Sequence, residues 1–392
     1  MKNFVFLSPN FPENYWRFCA ALRERGIRVL GVGDCPYDGL REELRLALDE
    51  YYYVSSLEHY NEVYGAVAYF AFKYGKPDWL ESNNEYWLER DARLRDDFNI
   101  ASGFHSAEMP PVKFKSRMKE RYRAAGIPVA RYCPAENYLV CRDFLKEVGR
   151  AVVKPDNGVG ANATYPISCD ADLNTFFSAP RAGYIMEEYI DGTICSYDAI
   201  IDAQGQPVFE TGNVTPASLM DIVNEHRESM FYIVKELPEA LRRMGRAAVK
   251  SFGVKSRFIH FEFFRLNHDC ALGKEGEYCA LEVNMRPSGG CSPDMMNCAN
   301  GVDVYELWAD MIAGKPALYG ERKKCFCAFA GRRRGKHYAL SRDELLLRYG
   351  SHMKEYGEVD PALAPAMGDE FFIACFDTEE EVYAFYREAV RV

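Results

Sequence analysis

The length, composition and charge of the chain exclude several classes of protein. Its 392 residues suffice for two or three domains, and 48% hydrophobic with 27% charged residues is typical of a globular protein. A net charge of -10 argues against a nucleic-acid partner, and no apolar run approaches the ~20 residues that span a membrane. The thirteen scattered cysteines, without a Cys-x-x-Cys pair or a recognisable signal peptide, predict free thiols and a cytoplasmic protein.

The first part of the chain alternates between strand and helix patterns. Residues 4–7 form a short apolar strand, residues 15–25 have a helical pattern, and residues 27–32 form a second strand. This rhythm predicts a doubly wound βα domain over residues 1–110. Pro110 and Pro111 mark its end.

The pattern changes to α+β in a second segment, residues 111–315. A basic helix over residues 113–125 opens it, and another helix is expected over 238–252. Its predicted strands are residues 151–154, 184–189, 196–201, 257–264 and 278–284.

A small C-terminal α+β segment is expected over residues 316–392. Ser341, with Glu344 three residues later, predicts the start of a helix over residues 341–349. The other predicted elements are a strand at 325–330, a basic turn at 331–336, a strand at 371–376 and a helix at 379–390.

Residues 281–290 carry the most informative pattern. Leu281, as the first of three alternating apolar residues, is expected on the core face, and Glu282, Asn284 and Arg286 on the other. Carboxylate and amide oxygens are ligands suited to Mg²⁺, and a guanidinium can bind phosphate or carboxylate oxygens in a fork. A solvated edge strand is the structural alternative.

Glu262 is the expected partner of Glu282. It shares one face of a strand with His260, and a polar connection separates the two glutamates. Two strands of one hairpin would place these carboxylates side by side, where they repel unless they share a proton or a cation. We expect a divalent metal between them, and His260 to orient its neighbours rather than bind metal.

Two further segments have patterns suited to a nucleotide. Lys154 ends a strand and enters a glycine-bearing turn, whose backbone N–H groups could hold phosphate; a plain hairpin is the alternative. Residues 184–192 run from an apolar strand into a polar turn, which could provide walls and edge contacts for a purine; a surface strand end is the alternative.

The order of these motifs resembles the ATP-grasp superfamily, in particular its carboxylate–amine ligases. The resemblance covers residues 110–315 and rests on Lys115-Ser116-Arg117-Met118-Lys119, Val153-Lys154-Pro155, Met186 to Gly192, His260 to Phe263 and Glu282 to Pro287. It implies a two-lobed ATP-grasp domain with antiparallel sheets, preceded by the βα domain. It also implies ATP and Mg²⁺ as cofactors, with Mn²⁺ as a substitute.

The resemblance implies a role for each matching residue. Lys115 and Lys154 would contact the phosphates, Gly158 and Gly160 would belong to a mobile lid over residues 156–161, and Arg286 would act with Lys154 in catalysis. The adenine hinge would be Glu187, Glu188, Tyr189 and Ile190, with Glu187 or a neighbouring backbone carbonyl facing the exocyclic amine. The metal ligands would be Glu262, Glu282 and Asn284.

One position departs from the superfamily pattern. Ile194 stands where an acidic residue often holds the ribose hydroxyls. Ribose contacts would then come from elsewhere, with Glu188 or Asp198 as candidates.

The predicted reaction is ATP-dependent ligation of a small carboxylate and an amine through an acyl phosphate, releasing ADP and phosphate. Two alternatives stay open: a kinase that phosphorylates a small molecule, and a non-catalytic ATP-binding module. A homodimer is a further expectation from the superfamily.

Two segments outside these motifs are candidates for substrate binding. The basic run that contains Arg332, Arg333, Arg334 and Lys336 could bind an anionic group, with a salt-bridged turn as the alternative. Tyr338 and residues 217–231, which include His226 and Arg227, are candidates for a substrate lid.

Overall fold

A computed structural model shows three β-sheets flanked by helices. The structure describes residues 1–158, 163–179, 181–216, 227–316, 320 and 322–392. None of the helices among these residues is long and apolar enough to cross a membrane. The strands are β1 Asn3–Leu7, β2 Arg28–Gly33, β3 Glu50–Tyr53, β4 Trp79–Glu81, β5 Tyr132–Pro134, β6 Ala151–Pro155, β7 Tyr165–Ile167, β8 Tyr184–Glu188, β9 Gly192–Ile201, β10 Pro207–Thr215, β11 Ser229–Ile233, β12 Arg257–Leu266, β13 Tyr278–Asn284, β14 Phe326–Arg332, β15 Met353–Glu358 and β16 Glu370–Phe376.

The α-helices of these residues are numbered in chain order. They are α1 Trp16–Glu24, α2 Glu42–Ala47, α3 Tyr60–Tyr74, α4 Leu88–Asp97, α5 Pro110–Lys113, α6 Lys115–Ala124, α7 Tyr138–Val148, α8 Asp170–Phe177, α9 Glu239–Phe252, α10 Ser292–Asn300, α11 Val304–Ala313, α12 Arg342–Tyr349, α13 Ala364–Met367 and α14 Glu379–Ala389.

The N-terminal sheet is parallel, with strand order β3-β2-β1-β4. Every residue of β1 is buried, as expected for a central strand covered on both faces by helices. The doubly wound architecture predicted for this part of the chain is confirmed. Its first helix begins at Trp16 because Glu13–Tyr15 forms a 3₁₀ turn.

Two antiparallel sheets form the rest of the architecture. The smaller has strand order β5-β8-β6-β7 and its own apolar core with α7 and α8. The larger has eight strands in the order β13-β12-β9-β10-β11-β14-β16-β15, with an apolar core on each face. The expected antiparallel sheets of two lobes are therefore present.

The C-terminal strands are part of the larger sheet. Strand β14 pairs with β11, and β16 pairs with β14 and β15. Ser341 caps α12 through the expected reciprocal bonds with Glu344. The division at residue 315/316 stays a prediction, since the strands on the two sides of it share one sheet.

Two predicted elements differ from the structure. The helix expected over residues 113–125 is interrupted at Phe114, whose extended backbone forms an isolated bridge with Asn157. This bridge ties the start of α6 to the glycine-bearing turn. The basic turn expected at 331–336 starts later, because β14 continues through Arg332 and pairs there with Glu370.

A buried ion cluster connects the N-terminal domain to the larger sheet. Glu81, at the end of β4, forms ion pairs of 3.0 Å with Arg95 and with Arg257 of β12. All three residues are almost fully buried. Arg257 also donates a hydrogen bond to the carbonyl of Met285, next to Arg286.

Replacing Glu81 by glutamine should therefore destabilise the protein strongly. The variant removes the carboxylate that pairs directly with two buried guanidinium groups, which costs about 3–5 kcal/mol of unfolding free energy. Urea unfolding of Glu81→Gln measures this loss, with Glu89→Gln on the exposed face of α4 as the control. A loss no greater than that of the control would contradict this role of the cluster.

Candidate active site

One cavity of about 260 Å³ lies between the two antiparallel sheets. Strands β6 and β8 of the smaller sheet and β9, β12 and β13 of the larger one contribute to its lining. The lining residues are Lys115, Val152, Lys154, Thr164, Glu187, Glu188, Tyr189, Ile190, Gly192, Ile194, Thr215, Pro216, Glu262, Phe264, Leu281, Glu282, Asn284 and Arg286. Of the predicted site residues that the structure describes, all except Gly158 are among them.

Glu262 and Glu282 face each other directly across β12 and β13. Burial, together with the charge of Glu262, raises the pKa of Glu282 above its ordinary value. Asn284 is two residues further along the same face and lines the same cavity. Two apposed carboxylates and an amide oxygen are a suitable donor set for Mg²⁺, because a divalent cation would relieve their repulsion.

His260 connects Glu262 of this carboxylate pair to a buried aspartate. Its Nδ1 is 2.7 Å from Oδ1 of the fully buried Asp198, and its Nε2 is 3.1 Å from Oε1 of Glu262. Ser196 donates a further hydrogen bond to Asp198. The expected orienting role fits these contacts, since both ring nitrogens are engaged by carboxylates.

These contacts should make stability depend on pH through His260. Burial lowers the pKa of His260, but the carboxylates of Asp198 and Glu262 outweigh it and raise the value from 6.5 to about 9. A folded-state pKa above the unfolded value gives stability that is complete below pH 6.5 and lost as the pH rises through about 9. We expect a loss of about 3 kcal/mol across this window.

Urea unfolding at several pH values in EDTA, without nucleotide, measures this loss. His260→Gln should lack this part of the pH dependence, whereas His268→Gln, at an exposed histidine, should keep it. The same pH profile in wild type and His260→Gln would contradict the assignment.

Glu187 is held by two lysines. Its carboxylate is 2.9 Å from Nζ of Lys154 and 3.1 Å from Nζ of Lys119. Burial alone would raise the pKa of Glu187, but the two lysines outweigh it and keep the pKa below its ordinary value. The carboxylate is therefore held in two ion pairs at the edge of the cavity, and its contact with an exocyclic amine stays a prediction.

Lys119 belongs to the motif at residues 115–119 but is not among the predicted site residues. It is almost fully buried and lies one helical turn after Lys115 in α6. This i, i+4 spacing was the signal in the sequence that could have found it. Its role here is to fix Glu187 and, through it, Lys154.

Lys115 joins the glycine-bearing turn to the carboxylates. Its Nζ donates to the carbonyl of Gly158 at 3.0 Å and lies 3.7 Å from Oε2 of Glu282. Asp156 accepts hydrogen bonds of 2.7 Å from the amide and the hydroxyl of Ser116. The start of the predicted lid is thus docked on α6, and Gly160 lies outside the described residues.

The opposite part of the cavity is apolar. Val152, Ile194, Phe264 and Leu281 line it, next to the backbone of residues 189–190 beyond the end of β8. Apolar walls with adjacent backbone groups suit a purine ring. The expectation that Leu281 faces the core is wrong, because a β-bulge at this residue turns it into the cavity.

Of the two candidates for a ribose contact, only Glu188 reaches the cavity. Asp198 is fully buried and bonded to His260, so its suggested role is wrong. Glu188 lines the cavity, although its carboxylate accepts hydrogen bonds from the backbone and the guanidinium of Arg131. A ribose contact by Glu188 stays a prediction.

Arg286 reaches the cavity at the junction with the N-terminal domain. Its Nη1 donates to the carbonyl of Pro287 at 2.7 Å, and its Nε lies 4.0 Å from Oε2 of Glu85. Glu85 is buried and forms a 2.9 Å ion pair with Lys113. These contacts hold the guanidinium of Arg286 in the lining of the cavity.

The arginine side chains at the end of β14 and directly after it are bonded to other groups of the protein. Arg332 donates to the carbonyl of Ala389, Arg333 donates to the carbonyls of residues 227, 364 and 365, and Arg334 pairs with Glu358. This bonding favours the alternative of a salt-bridged turn over an anion site.

The structure describes only part of the predicted substrate lid. Tyr338 donates a hydrogen bond to Glu228, and the same carboxylate pairs with Lys336. His226 and the other residues of the range 217–226 lie outside the described residues.

Searches with protein-family models and against curated protein sequences give no match. Solved structures give extensive matches. The L-amino acid ligase from Bacillus licheniformis is 16% identical, with 99% of this chain and 97% of that chain covered and a TM-score of 0.69. An N5-carboxyaminoimidazole ribonucleotide synthetase in its ADP complex is 15% identical, with 99% and 96% covered and a TM-score of 0.70.

The third match is a biotin carboxylase domain. It comes from the 2-oxoglutarate carboxylase of Hydrogenobacter thermophilus, and its structure contains MgADP and bicarbonate. The two chains are 15% identical, with 99% of this chain and 89% of that chain covered and a TM-score of 0.71. The chain therefore shares its fold with these three proteins over 99% of its length, in agreement with the ATP-grasp fold that the resemblance implied for residues 110–315.

Proposed function

We propose that the protein is an ATP-dependent ligase that joins a small carboxylate to an amine. The observation that carries this proposal is the single cavity lined by Lys115, Lys154, Glu262, Glu282 and Arg286. It combines cations for phosphate, carboxylates for a metal and an apolar wall for a purine. The similar folds of a ligase, a synthetase and a carboxylase support it over the kinase alternative.

In the proposed reaction the carboxylate oxygen attacks the γ-phosphorus of ATP. The acyl phosphate forms as the bond to ADP breaks, and attack by the amine then releases phosphate. Lys154 and Lys115 stabilise negative charge on the phosphates, and Arg286 that on the phosphoryl and acyl oxygens. Mg²⁺, held by Glu262, Glu282 and Asn284, would supply further charge neutralisation.

We extend the proposal to the ATP-binding segment, the metal ion, the cellular compartment and the oligomeric state. ATP would bind within residues 111–315, and Mn²⁺ would substitute for Mg²⁺ because the donors are oxygen atoms. The free state of all thirteen cysteines fits a reducing cytoplasm. A homodimer stays a prediction.

An isotope experiment tests the reaction type. The protein is incubated with MgATP, an amine and a panel of amino acids and small carboxylates labelled with ¹⁸O in the carboxyl group. A ligase transfers one labelled oxygen to the released phosphate, and hydroxylamine replaces the amine to give a hydroxamate. Mass spectrometry detects both products.

Two results would contradict the proposal. A phosphorylated alcohol without hydroxamate would indicate a kinase, and the absence of any ADP with the whole panel would indicate a non-catalytic module. Glu275→Gln, at an exposed position of the β12–β13 hairpin, is the control that should keep the activity.

A further inference from the structure

The larger sheet contributes two rows of side chains to the lining of the proposed active site. Glu262 and Glu282, paired across β12 and β13, form the carboxylate row. Phe264 of β12, Ile194 of β9 and Thr215 of β10 are paired across their strands and all line the cavity; we call them the Ile194 row. Because a strand rises about 3.4 Å per residue, the two rows are about 7 Å apart.

The sugar of a bound nucleotide would lie over the Ile194 row. This step rests on the proposed function, in which the purine lies at the backbone of residues 189–190 and the phosphates lie at Lys154 and the carboxylate row. The backbone at Gly192 packs on Phe264, since a Cβ on this glycine would lie 2.9 Å from that of Phe264. Ile194 is the next side chain of the row, so it lies beside the purine end, where the sugar begins.

The carboxylates next to the purine end are already bonded within the protein. A carboxylate is the strongest acceptor that a side chain can offer to a sugar hydroxyl. Glu187 lies between two lysines, and the oxygens of Glu188 accept hydrogen bonds of 2.7 and 2.9 Å from the backbone and the guanidinium of Arg131. The remaining carboxylates among the described lining residues are those of the carboxylate row, which the proposed function assigns to metal.

The Ile194 row itself offers little to a hydroxyl. Its polar member is Thr215, whose hydroxyl donates a hydrogen bond to Oδ1 of Asn213 at 3.3 Å. Ile194 presents only an apolar side chain. A site built around a buried acceptor rejects an analogue that lacks the matching hydroxyl, whereas an apolar contact depends mainly on shape.

We propose that Ile194 determines the sugar specificity of the nucleotide site, because it packs against the sugar without offering an acceptor to the 2′- and 3′-hydroxyls. The site then takes purine nucleoside triphosphates with ribose or deoxyribose alike. Removal of the 2′-hydroxyl leaves no protein group unpaired. The kcat/KM for dATP should therefore lie within about threefold of that for ATP.

A carboxylate at position 194 should create a preference for ribose. In Ile194→Glu an acceptor enters the row, and dATP leaves it without a partner. We expect kcat/KM for ATP to exceed that for dATP by at least ~10-fold in this variant. Thr193→Glu is the matched control, because residue 193 points to the opposite face of β9 and is absent from the lining. Its ratio of the two kcat/KM values should equal that of the wild type.

Two measurements on the full-length protein test the proposal. Thermal unfolding with increasing MgATP or MgdATP gives the two Kd values and needs no turnover. The release of nucleoside diphosphate with the accepted carboxylate and amine gives the two kcat/KM values. We expect similar values for both nucleotides in the wild type and in Thr193→Glu, and a preference for ATP in Ile194→Glu. Ile194→Gln, which adds a neutral acceptor, replaces the glutamate variant if that variant does not fold.

The outcomes separate this proposal from the proposed function. A wild-type preference for ATP of about tenfold or more would overturn the sugar specificity and favour a ribose contact by Glu188. A folded Ile194→Glu variant that binds both nucleotides equally would overturn it as well. Equal Kd values without release of a diphosphate would contradict the ligase reaction and support the sugar specificity. An unfolding temperature that neither nucleotide changes would overturn both proposals.

Discussion

Replacing Glu282 by glutamine is expected to abolish ATP turnover without unfolding the protein. The amide removes one of the two charges that would face the proposed cation between β12 and β13. Metal-dependent charge stabilisation contributes several kcal/mol, so the rate of ADP formation should fall by at least ~10³-fold. A coupled assay of ADP release with the accepted carboxylate measures the change.

The stability of the Glu282→Gln variant provides a second readout. Burial and Glu262 raise the pKa of Glu282, so its charged form is unfavourable in the folded protein without metal. The variant should therefore unfold at the same temperature as the wild type or higher when EDTA is present. Full activity of the variant, with normal activity of the Glu275→Gln control, would contradict the metal assignment.

Replacing Lys154 by methionine should cause the second large loss. Lys154 lines the cavity, and its Nζ is held 2.9 Å from the buried carboxylate of Glu187. Removing one positioned group that stabilises transition-state charge typically costs about 10²–10³ in kcat. Steady-state kinetics with MgATP measures the effect, which should be mainly on kcat if Lys154 acts in phosphoryl transfer.

A matched lysine controls for loss of charge in the same lobe. Lys146 of α7 is exposed and pairs only loosely with Asp143, at 3.4 Å. Lys146→Met should keep kcat and KM within about twofold of the wild type, as is usual for substitutions away from a site. Equal effects of the two substitutions would show that Lys154 has no specific role.

The alternation of residues along β12 and β13 made part of the site predictable. A period of two residues places Glu262 on one face of the strand and its aromatic neighbours on the other, independently of the rest of the fold. The short hairpin then brings Glu282 opposite Glu262, as expected. Local rules were sufficient here because both strands are adjacent in sequence.

Features that depend on distant contacts were not predictable in the same way. The β-bulge at Leu281 reverses the direction of one side chain, and a single inserted residue of this kind leaves no trace in the apolar pattern. The burial of Glu187 between Lys119 and Lys154 depends on the packing of α6 against the smaller sheet. The motif gives no indication of these two lysine partners.

The cysteines show the same limit. They are scattered in the sequence, yet Cys327 and Cys375 are directly paired across β14 and β16. The pairing of β14 with β16 brings together residues almost fifty positions apart. No local pattern predicts such a contact.

Binding of ATP in the presence and absence of Mg²⁺ tests the central claim most directly, because the cavity is assigned to both. Thermal unfolding is followed with ATP and Mg²⁺, and with ATP and EDTA. We expect MgATP at 100 times its Kd to stabilise the protein by about 2.7 kcal/mol, and ATP with EDTA to stabilise it much less. An unfolding temperature that MgATP leaves unchanged would contradict the assignment of the cavity.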